Sequence, residues 1–174
     1  LGVISRAILD DVTNETRRVF SAENKSFHSF PFVAFAVVRD FLGAPEKFLI
    51  VDVGGEVTDV SVVSDHILSE TTTFPVGKRT LLRALSRAFS TTPDEALSLV
   101  RLSSEKRLSE TTEGRIGKSL SDVGSVWVSA FEKALSGITT RTAIPSSLFI
   151  SADDDLLPYF EALVKRESFA QYTV

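Results

Sequence analysis

The 174-residue sequence predicts a mixed α/β (α+β) chain whose mixed sheet opens as a three-strand antiparallel meander flanked by helices. Three observations carry this. Phe48 to Val53 is a short continuous apolar run, the pattern of a central strand covered on both faces. Gly54 and Gly55 break it, Val57 to Val63 alternates as a second strand, and the turn signal Ser64-Asp65 leads into a third strand, Ile67 to Phe74. Beyond Pro75, apolar residues recur at helical spacing, as an α+β or α/β unit requires.

Along the chain, Leu1 to Phe20 has apolar residues whose spacing suits a helix only in part, and an initial strand stays open. Ser21 to Phe30 is polar and reads as a connector. Pro31 to Phe41 is almost wholly apolar; Pro31 fits a first helical position, Gly43 and Pro45 stop the helix, and its character predicts burial against a sheet. Lys78 to Phe89 places Leu81, Leu82, Leu85 and Phe89 on one face. Thr92 caps a further helix, with Pro93 first and Glu95 third, close to a capping box. Ser103 to Lys118 is polar and charged and reads as an exposed loop or the solvated end of a helix. Leu120 to Leu135 is an amphipathic helix ending at Gly137. Ser147 to Ile150 is a last short strand, and Asp153 to Asp155 start a helix through Val164, their charges suiting its positive end.

Composition excludes several function classes. An apolar fraction of 43% and a charged fraction of 24% are ordinary for a globular chain, so a core can form. A net charge of −4 argues against a nucleic-acid partner, which calls for a basic face. With no cysteine and two histidines, His28 and His66, neither a disulfide framework nor a thiolate or histidine-rich metal site is expected. No apolar run reaches the ~20 residues of a membrane-spanning helix. The absence of methionine and the start at Leu1 suggest an excerpt of a longer parent.

The stretch Phe48 to Val63 carries the chemistry. Asp52 stands near the end of a buried strand, where a carboxylate costs free energy unless paired or bound to a cation. Gly54 and Gly55 let the backbone turn and approach a ligand, and successive N–H groups in such a turn form a nest for phosphate oxygens. Thr58 offers a hydroxyl, and Asp52 and Asp59 offer the hard oxygens that Mg²⁺ takes together with phosphates and water. The bland alternative is a hairpin whose glycines serve only the turn; the combination of strand-end aspartate, Gly-Gly and Thr-Asp weighs against it. Other candidates carry less. Gly114 to Ser119 echoes the end of a P-loop but lacks its spacing and a preceding strand, and reads as a solvated linker. Lys78 and Arg79 could reach a phosphate or simply form a polar face, Trp127 reads as core or interface, and His66 lies in a turn.

Asp52-Val-Gly-Gly-Glu-Val-Thr-Asp59 resembles the second phosphate motif of the actin-like ATPases, a superfamily with a ribonuclease H-like fold that includes sugar kinases and heat-shock chaperones. It is most similar to the bacterial FtsA and PilM type. There the hairpin leads to a third strand and a Pro-hydrophobic-Gly turn opening a helix, matched here by Phe74-Pro75-Val76-Gly77. Asp94-Glu95-Ala96-Leu97 stands where the family has a helix near the adenosine, and the helix Pro31 to Phe41 stands where the family has its inter-lobe helix. The resemblance covers about Phe32 to Val164. Two departures stand out: Glu56 replaces a third glycine, and Ser151-Ala152 followed by Asp153 to Asp155 replaces a late Gly-Gly.

The resemblance implies an N-terminal connecting segment over 1–30 and an actin-like nucleotide-binding lobe over 31–174. It implies ATP and Mg²⁺ as ligands. Gly54, Gly55 and Thr58 would bind phosphate, Asp52 and Asp59 would hold Mg²⁺ through water, and Gly77, Glu95, Ser151 and Ala152 would lie on the adenosine side. No catalytic residue is assigned, and any ATPase activity would be slow. The implied partners are the other lobe of the same chain and either a second copy or a division or pilus protein. Such a protein is cytoplasmic, with contact to the inner membrane only through regions outside this stretch. A degenerate pseudo-ATPase scaffold and a small-molecule kinase on the same fold are the alternatives.

Overall fold

The computed structural model describes residues 5–20, 26–139 and 144–165. The element order is α1 (Arg6–Val19), α2 (Phe30–Phe41), β1 (Phe48–Val53), β2 (Thr58–Ser64), β3 (Ile67–Phe74), α3 (Lys78–Phe89), α4 (Pro93–Ser104), α5 (Glu110–Thr139), β4 (Leu148–Ser151) and α6 (Leu157–Val164). The strands form one mixed sheet in the order β3-β2-β1-β4, antiparallel through the meander and parallel between β1 and β4. The predicted fold class is thus the observed one.

The continuous apolar run of β1 is explained by cover on both sides. Leu49, Val51 and Val53 face the larger core, where Leu81 and Leu85 of α3, Val100 of α4, Trp127 and Phe131 of α5 and Phe160 of α6 meet them. Phe48 and Ile50 face the other way, onto Phe35 and Val38 of α2. Burying each such side chain contributes about 1.5–3 kcal/mol, so β1 anchors both layers. Between β2 and β3 the turn Asp65-His66 has both residues at positive φ (53° and 60°), the backbone a two-residue hairpin needs to match strand twist. His66 is exposed there, as expected.

Several expectations need correction. The N-terminal segment is helical over Arg6–Val19 and buries none of its residues; residues 1–4, where an initial strand was left open, and residues 21–25 of the expected connector lie outside the described residues. Of the apolar helix α2 only Phe35 and Val38 are buried, while Phe32, Val33, Val37 and Phe41 stay exposed, because the sheet covers one stripe of it. Most of the stretch Ser103 to Lys118, read as an exposed loop or the solvated end of a helix, is helical. α4 runs to Ser104 and α5 begins at Glu110, stapled to α4 by the Ser103 hydroxyl donating to Glu113 at 2.6 Å. Polar residues there misled because that first part of α5 turns only Ile116 fully inward. α5 also passes Gly137 and ends at Thr139. The last helix begins at Leu157 rather than at Asp153; the aspartates precede it, Asp153 held by Lys78 and Asp155 by Arg101.

Candidate functional site

The site lies where β1 and β4 end and the hairpin turns. Register puts one polar residue from each strand in a single row across the sheet: Thr73 of β3 beside Asp59 of β2, Asp59 beside Asp52 of β1, and Asp52 beside Ser151 of β4. Alternation along β1 puts this row on the α2 side, continuing the line of Phe48 and Ile50 toward the turn. Both aspartates are half-buried. The Thr73 hydroxyl donates to Asp59, and Ser151 stands beside Asp52 across the β1–β4 pair. Burial pushes the Asp52 carboxyl above the ordinary aspartate range; the neighbouring Ser151 side chain offsets part of this, and the charge of Asp59 adds to it. Like charges directly across a sheet destabilise it, so a cation between them would relieve both carboxylates.

Among the described residues no group of three or more His, Cys, Asp or Glu could hold a metal ion. Two carboxylates do not close a protein cage for a cation. They fit Mg²⁺, which keeps waters and takes its remaining ligands from phosphate.

The glycine turn is built into the start of α3. Gly54 N–H donates to Val57 O at 2.9 Å, Lys78 N–H to Gly54 O at 3.0 Å and Arg79 N–H to Gly55 O at 2.9 Å. Gly77 lies directly beneath: a Cβ there would stand 2.6 Å from the carbonyl oxygens of both Gly54 and Gly55. Only glycine allows this approach. Among the described residues, the N–H groups of Gly55 and Glu56 donate no hydrogen bond to the backbone. Of the two glycines expected to donate to phosphate, Gly54 is already engaged within the turn, while the Gly55 N–H makes no backbone hydrogen bond.

Thr58 is placed otherwise than expected. It is fully buried, donates its hydroxyl proton to Val76 O at 2.7 Å and accepts from Trp127 Nε1–H at 3.1 Å. Its side chain points to the core side because it pairs with Val53, one residue out of phase with Asp52. It therefore ties β2 to α5 and has no proton left for phosphate. Trp127 is core, stacked on Phe131 and against Phe74 and Phe160.

The four residues assigned to the adenosine side each have a place within the fold, and their neighbours Lys78, Asp94 and Asp153 line one cleft. Gly77 is under the turn. Glu95 closes the capping box of α4, its carboxylate accepting from Thr92 N–H at 2.8 Å, which holds it below the usual carboxylate range. Ser151 belongs to the aspartate row, and Ala152 packs on the core. That cleft, of about 480 Å³, lies beside the turn, between α3 and the start of α4, lined by Glu56, Lys78, Arg79, Arg83, Asp94 and Asp153 among others. Glu56, the residue in place of a third glycine, turns toward α3 and forms a bidentate pair with Arg83 at 3.0 and 2.9 Å. Asp153 pairs with Lys78 at 2.6 Å and Asp155 with Arg101 at 2.6 Å, so two of the three late aspartates are neutralised. Sequence reasoning missed Arg83; its place four residues after Arg79 on one helix was the available signal. Gly114 to Ser119 lies inside α5 and forms no phosphate loop.

No protein-family profile matches the chain, and no curated protein sequence does. Solved structures do. The PilM–PilN type IV pilus biogenesis complex matches at 17% identity over 92% of this chain and 45% of that chain, with a TM-score of 0.69. The ethanolamine utilization protein EutJ from Carboxydothermus hydrogenoformans matches at 16% identity over 75% and 44%, with a TM-score of 0.51. Ta0583, an archaeal actin homolog, matches at 17% identity over 76% and 45%, with a TM-score of 0.50. The fold is that of the actin-like proteins, and the chain spans less than half the length of these structures.

Proposed function

On that fold, we propose that the chain is a nucleotide-binding lobe that takes ATP with Mg²⁺ at the β1–β2 hairpin. The observation that carries this is the Asp52–Asp59 pair, two like-charged, half-buried carboxylates facing each other beside a glycine turn whose Gly55 and Glu56 N–H groups make no backbone hydrogen bond among the described residues. Asp52 and Asp59 would hold the cation through water, and the N–H groups of Gly55 and Glu56 would meet phosphate oxygens. When bound, Mg²⁺ would supply charge neutralisation between the two carboxylates. This chain's residues orient it and surrender their mutual repulsion. The protein then works as a cytoplasmic scaffold whose conformation follows its nucleotide, closing around the ligand and presenting a surface to a second copy or to an assembly partner in pilus biogenesis or cell division. The likeness to the pilus complex supports the first of these settings. No helix among the described residues is long and apolar enough to cross a membrane.

A second reading, a fold kept for protein interaction without nucleotide, draws support from Thr58, whose hydroxyl is spent in the core, and from Glu56 at the turn. Titration of the protein with a fluorescent ATP analogue, with and without Mg²⁺, separates the two. Binding that needs Mg²⁺ and weakens in Asp52→Ala supports the nucleotide lobe. A folded protein that binds nothing supports the interaction scaffold.

A further inference from the structure

The cleft beside the glycine turn holds more charge than a plain salt-bridged surface requires. Arg79 and Arg83 stand one helical turn apart on α3, a like-charge spacing that destabilises a helix unless an anion lies between them. Glu56 is that anion here: it grips Arg83 through both oxygens and stands 3.6 Å from Arg79. The side chain of Arg79 also lies over the turn itself, since a Cβ on Gly55 would be 3.7 Å from its Nε. Two guanidinium groups thus converge on one carboxylate at the rim of a cleft of about 480 Å³, beside the N–H groups of Gly55 and Glu56, which among the described residues make no backbone hydrogen bond.

We propose that Arg79 and Arg83 are the anion-recognition pair of this site, and that Glu56 occupies them as an internal counter-ion which a polyphosphate ligand displaces. The inference rests on the nucleotide reading for the identity of the ligand and on the cleft geometry for the residues. A guanidinium fork accepts a phosphate in the same bidentate manner as a carboxylate, and a phosphate carries more charge and a third oxygen for the second arginine. All three side chains are about half-exposed or more, at 66% for Arg79, 47% for Arg83 and 51% for Glu56, so the exchange needs only rotamer changes. A ligand with one negative charge merely replaces Glu56. A diphosphate or triphosphate outbids it, and Glu56 therefore selects by charge.

The test uses inorganic triphosphate, pyrophosphate and phosphate as calorimetric probes on the full chain, beside the fluorescent ATP analogue. Glu56→Gln should bind triphosphate about two- to fivefold tighter than wild type, the range an exposed ion pair supplies. It should also narrow the preference over phosphate. Arg83→Gln and Arg79→Gln should each lose about tenfold, the scale of one hydrogen bond to a charged group. Arg87→Gln, on the same helix but outside the cleft, should change little. Circular dichroism confirms that each variant keeps its helices. If ATP binds and none of the cleft variants changes its affinity, this inference is overturned and the nucleotide reading stands. If triphosphate binds with the expected dependence and the ATP analogue does not, the anion site stands and the nucleotide reading falls. Failure of every probe on folded protein sinks both.

Discussion

Replacing Thr58 by valine tests whether the hydroxyl of the hairpin belongs to the ligand or to the core. The two residues have nearly the same shape, so the change opens no cavity and removes one oxygen. It leaves the Val76 carbonyl and the Trp127 Nε1–H without partners, at positions 8% and 1% exposed. Each of the two buried groups left unsatisfied costs about 1–3 kcal/mol, and the added methyl returns roughly 1 kcal/mol, so the expected loss is about 1–5 kcal/mol, centred on ~3 kcal/mol. For a chain of this size each kcal/mol moves the melting temperature by about 2–4 °C, giving a drop of roughly 5–15 °C near the centre of that range. Thr58→Ser keeps the oxygen and should lose about 1 kcal/mol. Thermal melts followed by circular dichroism give the stability. Trp127 is the single tryptophan, so its emission reports directly on the bond that is cut. If the valine variant melted within about 2 °C of wild type and instead lost nucleotide binding, the hydroxyl would face the ligand and the reasoning would be wrong.

Other perturbations bear on the site and its support. Asp52 has its folded pKa raised, so the folded state holds a proton that the unfolded chain has already lost; its contribution to stability is present at low pH and falls as pH rises through the window above the ordinary aspartate value. Asp52→Asn should remove that decline, so metal-free variant minus wild-type melting temperatures should grow with pH across this window and then level off. A difference that shrinks with pH contradicts the assignment. Added Mg²⁺ with triphosphate should stabilise wild type above the window and the variant much less. Gly77→Ala forces a Cβ against two backbone carbonyl oxygens and should cost roughly 3 kcal/mol in chemical unfolding. Gly124→Ala meets only the ends of side chains, Tyr159 Oη at 2.9 Å and Leu163 Cδ2 at 3.0 Å, and should cost clearly less; the reverse order would refute the packing described at both positions. Gly117→Ala, on an open face of α5, should stabilise by about 1 kcal/mol, whereas a phosphate loop at this stretch would lose function instead.

The sheet was legible because its strands obey simple rules. The unbroken apolar run of β1 required cover on both faces, and the glycines and Ser64-Asp65 marked both turns. α4 was legible from Thr92, Pro93 and Glu95, whose capping box forms as spaced. The start of α5 was not, because Glu110 to Lys118 places a single side chain fully in the core and so shows no apolar period. In the site, the aspartate pair could be read from sequence, since hairpin register follows from a tight turn. The fate of Thr58 could not: one step of strand alternation decides whether a hydroxyl meets ligand or core, and its partner Trp127 lies 69 residues away. Glu95 was taken for a ligand contact although its spacing from Thr92 already assigned it to the cap. The Glu56–Arg83 pair escaped because it depends on how α3 leaves the turn.

The seating of the glycine turn on α3 has a kinetic consequence. The amides of Lys78 and Arg79 close onto the carbonyls of Gly54 and Gly55, so neither peptide can rotate unless the helix end unravels with it. The turn is then already in shape before any ligand arrives, and association would not wait on loop ordering. Exchange of those two amide protons with solvent would proceed only as fast as the first turn of α3 opens, making them a clock for the rate at which this corner of the protein breathes.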